Sequence, residues 1–251
     1  MGEGSPGRSG DGLRRRRAPC HQLGAGAHGV GGDATLRLTP ITKALIALNV
    51  LAFVAELLTG GAQGTIVQLG VEYGPAVDHG EWWRIVTAAF LHGGVLHILF
   101  NMIALAQVGT VIELTFGGAR MLTLYAVSLL VAGLSVLVFN YAIPTLGASG
   151  AVFGLFGALL ALGLRRGPAG RILVRQCLGI IVINLVYGFA ATGISNAAHL
   201  GGLVAGFLIG FPLVPPAPAR RVYAIDPNDS RAYPGDTIEH RAETPRQDGP
   251  E

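Results

Sequence analysis

Four side chains far apart in the sequence, His97, Asn101, Ser149 and His199, are of the types that acyl transfer needs. A serine hydroxyl is a weak nucleophile until a base takes its proton, and a neutral imidazole does this near pH 7. The tetrahedral intermediate that follows needs hydrogen-bond donors, which imidazole, carboxamide and backbone N–H groups supply. Each residue also has a plain structural reading. A serine in an apolar helix usually bonds its own backbone, a histidine near a helix end sits at an interface, and an asparagine joins helices. The placement of the set decides between these readings, and placement depends on the elements that carry it.

The chain has 251 residues, 51% of them hydrophobic and 13% charged, against roughly 25% charged in soluble domains. Of its 33 charged residues, 21 lie in 1–40 and 214–251, leaving 12 across the 173 residues from Ile41 to Leu213. That pattern predicts an all-α membrane domain at 41–213, between a flexible N-terminal tail (1–40) and a disordered C-terminal tail (214–251). Six apolar segments are expected, near 41–58, 95–112, 119–140, 147–164, 171–191 and 196–213. Thr39 and Pro40 make a helix start, Thr as N-cap and Pro in the first turn. The connection 59–94 contains EWWRIVTAAFLH, read as a short amphipathic helix at the membrane surface anchored by Trp82 and Trp83. Cys20 and Cys177 form no disulfide framework, and Cys20, His21 and His28 are too few ligands for a structural metal.

With both tails in the cytosol, 17 of the 18 basic residues fall on the inner side, and Arg84 alone lies outside. This charge asymmetry predicts a multi-pass cell-membrane protein with cytosolic termini. The second, fourth and sixth segments then run inward from the outer face. His97, Ser149 and His199 each lie within roughly two turns of an outer end, and Asn101 lies one turn below His97 on the same face. Ser149 also heads a helix, where free N–H groups favour negative charge.

Gly147, Gly150 and Gly154 surround Ser149, although glycine is a poor helix former. The sixth segment carries Ala198, Gly202, Gly206 and Gly210 at every fourth position. Small faces on both segments let two backbones approach, which is the contact a Ser149–His199 hydrogen bond requires. Gln107, Gln176 and Asn184 are read as interhelical hydrogen-bonders.

GASGAVFG at 147–154, HILFN at 97–101, WWR at 82–84 and AHLGGLVAG at 198–206 together resemble the rhomboid intramembrane serine proteases. The resemblance covers roughly residues 40–213. It implies a six-transmembrane-helix bundle with a membrane-embedded first external loop, and a Ser149 nucleophile activated by His199 without an acidic partner. It implies further that His97 and Asn101 support the oxyanion and that Phe153 packs on the catalytic imidazole. Trp83 and Arg84 would seat the external loop, Glu113 would cap neighbouring backbone, and His92 would be structural or organise water. The implied substrates are transmembrane segments of other, usually single-pass, proteins in the lipid bilayer, cut near the outer face after a small residue such as alanine. The fifth segment would serve as a mobile gate. Neither metal, cofactor nor nucleic acid is expected.

Two other readings stay open at this point. An inactive relative that binds membrane clients would ordinarily lack the serine or the histidine, and both are present. A transporter would need polar groups through the inner half of the bundle, where the inward-running segments are aliphatic or glycine except at Gln107.

Overall fold

The computed structural model describes residues 1–2, 38–190 and 194–217. The basic run at 14–17, the Cys20–His28 stretch and nearly all of both tails lie outside these residues. Nine helices are described: α1 (Pro40–Leu58), α2 (Thr65–Gly70), α3 (Gly74–Asp78), α4 (Arg84–Thr87), α5 (Val95–Phe116), α6 (Gly118–Phe139), α7 (Ser149–Arg165), α8 (Arg171–Ala190) and α9 (Asn196–Leu213). The long helices fall on the six apolar segments, and α5 extends four residues further than expected. Among the described residues five helices are long and apolar enough to cross a bilayer, and α7 is shorter at 17 residues.

Helix α7 is the centre of the bundle. Of its 17 residues 13 are buried, as befits a helix apolar on every face. It packs against α5, α6, α8 and α9, while α1 lies against α5. The α7–α9 contact runs along the small residues foreseen for it. A Cβ at Gly202 would strike the carbonyl of Gly150, and one at Gly206 the carbonyl of Gly154. On the facing side, Gly150 leaves room for Ala132 and the backbone of Ala198, and Gly154 leaves room for Ser128.

Helices α5 and α6 are joined by Gly117 alone, whose φ of +86° suits glycine. Near this corner Glu113 reaches across to the start of α1. Its carboxylate accepts from the N–H groups of Ile41 (3.0 Å) and Thr42 (2.9 Å) and from the hydroxyls of Thr39 (2.5 Å) and Thr42 (2.9 Å). Thr39 precedes Pro40 as expected, but its side chain makes no capping bond to the helix. A carboxylate from another helix does the capping, and a negative charge suits a helix N-terminus. Glu113→Ala should therefore cost about 2 kcal/mol, read as a lower thermal midpoint in detergent, with Glu113→Gln recovering part. An unchanged midpoint would mean that packing alone holds α1.

The connection 59–94 differs most from expectation. The amphipathic helix is reduced to the single turn of α4 followed by a 3₁₀ turn, and α2 and α3 lie where no element was expected. Side chains hold this loop together. Trp83 Nε1 donates to the carbonyl of Leu69 (2.9 Å), Arg84 Nη1 to those of Gln68 and Val71 (both 2.8 Å), and Thr87 Oγ1 to that of Gly70 (2.8 Å). Four successive carbonyls at the end of α2, orphaned by the helix geometry, thus find donors. Arg84 is buried and also pairs with Glu81. Trp82 is 70% exposed. Asn184 departs from its expected role, since its amide donates to Ile180 of its own helix at 2.8 Å.

Candidate active site

Ser149 is the first residue of α7 and His199 the fourth of α9. Close packing of the two helices puts His199 Nε2 2.9 Å from Ser149 Oγ, within hydrogen-bonding reach. The Phe153 ring, one turn below Ser149, stacks on the His199 imidazole with centroids 4.1 Å apart and planes within 2°. His199 Nδ1 is buried and meets no acceptor among the described residues. Among the described residues no carboxylate orients this imidazole, so the stacked phenyl and the helix packing do so.

Helix α9 is started by Ser195, whose Oγ accepts from the N–H of Ala198 at 3.2 Å. This cap fixes the turn that carries His199. The signal was present in the sequence as a serine immediately before an apolar run.

His97 is the third residue of α5. Its Nδ1 accepts from the N–H of Gly93 at 3.3 Å, so in the neutral ring the proton sits on Nε2. The place where a Cβ would stand on Gly147 is 2.8 Å from His97 Nε2 and 3.8 Å from Ser149 Oγ. His97 and Ser149 therefore face each other across space that glycine keeps empty. Gly147 has φ +127°, which also favours glycine, and its N–H donates to Ala88 at 2.8 Å. This turn is why α7 begins at 149 rather than at 147.

Asn101 lies one turn below His97 and is buried. Its amide donates to the His97 carbonyl at 2.9 Å. One of two amide hydrogens is thereby used, and the other remains available. Behind this pair His92 packs edge-on to His97 with centroids 5.2 Å apart. Its backbone N–H donates to the buried Glu56 carboxylate of α1 at 3.0 Å. Burial, helped by the neighbouring His97, holds the His92 imidazole near 4, so it is neutral at physiological pH. Trp83 and Arg84 belong to the loop clamp described above rather than to this cluster.

Sequence reasoning passed over Glu72. It lies between α2 and α3, where an antiparallel bridge pairs its backbone with Thr145 (3.0 and 2.9 Å), close before α7. Desolvation pushes its carboxyl up to about 8, leaving it uncharged at neutral pH. A lone acid in an irregular loop carries no periodicity that would have marked it. Among the described residues no group of three or more His, Cys, Asp or Glu side chains is placed to hold a metal ion.

Comparison with known proteins adds to this geometry. Residues 79–216 match the Rhomboid domain family model. The chain is similar to rhomboid protease GluP of Bacillus subtilis, 39% identical over 169 residues covering 66% of this chain and 33% of that protein. It is similar to RHOMBOID-like protein 5 of Arabidopsis thaliana, 38% identical over 63% of this chain and 53% of that one. Similarity to YdcA of Bacillus subtilis is 31% over 70% of this chain and 89% of the relative. The chain thus spans a third to a half of the first two relatives and most of the third.

Proposed function

The chain belongs to the rhomboid family, and from that premise we propose that it is a serine endopeptidase that cuts transmembrane segments of other proteins within the bilayer. The 2.9 Å approach of Ser149 Oγ to His199 Nε2 carries this reading. As Oγ attacks the scissile carbonyl, its proton passes to Nε2, and the carbonyl oxygen takes on negative charge. The Ser149 N–H at the head of α7, His97 Nε2–H and the second amide hydrogen of Asn101 are the donors that stabilise it. His199 then gives its proton to the leaving amine, and a water molecule repeats the cycle to free the acyl fragment. No cofactor enters these steps.

The proposed arrangement has six spans, α7 included, with both termini cytosolic in a cell membrane and the polar tails flanking a domain at 41–213. Arg165 and Arg166 lie at the end of α7 opposite Ser149, roughly 24 Å along the helix. If that basic end is cytosolic, cleavage falls near the outer face. Substrates are usually single-pass, are cut after a small residue, and unwind more readily where they carry glycine or proline. They reach Ser149 past α8, which packs chiefly on α7 and makes little contact with α9.

Co-reconstitution with a single-pass substrate in vesicles, followed by mass spectrometry of the fragments, tests this function. A cut within the membrane segment on the Ser149 side is expected, and a cut confined to a soluble region would refute it. Since only neutral imidazole accepts the proton, the rate should fall once acidification protonates His199. A rate that does not fall at any acidic pH where the fold survives would remove His199 as the base.

A further inference from the structure

One buried polar group takes no part in this chemistry. Glu72 is 3% exposed, its carboxyl makes no hydrogen bond or ion pair among the described residues, and its Oε1 is buried without a partner. A buried polar group left unpaired is costly, so an isolated one calls for something that pairs with it. The bridge to Thr145 pins the Glu72 backbone, and the fold therefore sets the direction of the side chain. It points at α6, where a Cβ on Gly133 would stand 3.2 and 3.3 Å from the two carboxyl oxygens. Nearby Arg84 is occupied by Glu81 and by the carbonyls of Gln68 and Val71.

The carboxyl lines a cavity whose other walls are almost wholly apolar or glycine. Gly147 and Gly150, on either side of Ser149, and Ala198, next to His199, form one wall, and Ala132 forms part of another. The cavity is thus lined by the chain neighbours of Ser149 and His199. The residue whose carbonyl is attacked carries its side chain on the carbon bonded to the acyl carbon, so a neighbouring recess is where that side chain goes. Glycine and alanine walls leave room for few atoms, and an uncharged carboxyl offers both an O–H donor and a carbonyl acceptor.

We propose that Glu72 is a specificity-determining residue, selecting on the acyl side of the scissile bond a short side chain with a hydrogen-bonding group, serine over alanine. This rests on Ser149 being the nucleophile. A site that hydrogen-bonds a hydroxyl discriminates against the partner lacking it, because its own polar group is then left unpaired. The test uses paired transmembrane substrates differing only in serine or alanine at that position, with kcat/KM measured for each. The unsubstituted chain should favour serine by about tenfold. Glu72→Gln, which keeps a donor and an acceptor, should retain the preference, and Glu72→Leu should bring the ratio to unity or reverse it. Equal kcat/KM values in the unsubstituted chain, or a ratio unmoved by Glu72→Leu, would overturn the assignment. The unsubstituted ratio decides even if Glu72→Leu does not accumulate. Labelling of the unsubstituted chain at Ser149 by a small fluorophosphonate, which needs no such recess, distinguishes the two failures. An unmoved ratio with labelling intact sinks the role of Glu72 alone, and absent labelling sinks the nucleophile as well.

Discussion

Ser149→Ala should lower cleavage of a transmembrane substrate by at least about 10³-fold while leaving the thermal midpoint within a degree or two. The hydroxyl contributes one hydrogen bond to folding, whereas the chemistry has no other nucleophile at that place. His199→Ala should cost about as much activity, since the hydroxyl without its base returns to its ordinary, weakly nucleophilic state. The double variant should be no worse than either single one, because the two groups act as a unit. Initial rates in detergent, set beside melting curves of the same preparations, check all three. Additive losses would mean that the two residues act in separate steps.

Gly202→Leu should have an equally large effect for a different reason. Even a Cβ at position 202 would overlap the carbonyl of Gly150, a backbone atom that cannot rotate away. A leucine must therefore push α9 from α7 at the point that sets the distance from His199 to Ser149. Overpacking of this kind costs about 3 kcal/mol, and the hydrogen bond at 2.9 Å has no slack to absorb an ångström of displacement. Loss of both stability and cleavage is expected, with Gly202→Ala intermediate in both. A fully active Gly202→Leu would show that the helix contact does not hold the pair together.

The parts of this arrangement that could be read from the sequence have local or periodic signatures. The long helices announced themselves through apolar runs interrupted at Gly117, at the turn before Ser149 and at the polar connections. The α7–α9 contact was visible because small residues recur at every fourth position of α9, which is a statement about one helix face. The meeting of Ser149 with His199 followed once those faces were paired, whereas the packing of Phe153 on the imidazole was implied by the family resemblance alone; their chemical roles are what the proposed function adds. The loop at 59–94 was less legible, since its order comes from Trp83, Arg84 and Thr87 donating to carbonyls 13 to 17 residues away. Such bonds leave no period in a sequence. The resemblance implied that Glu113 caps neighbouring backbone, but its reach to Thr39, Ile41 and Thr42 at the start of another helix depends on tertiary packing.

The most direct measurement of the central geometry is to react the purified chain with a fluorophosphonate and locate the adduct by mass spectrometry. A phosphonylated Ser149 is expected in the unsubstituted chain, with labelling lost in Ser149→Ala and strongly reduced in His199→Ala. An adduct on any other residue, or labelling undiminished in Ser149→Ala, would contradict a nucleophile activated at the α7–α9 contact.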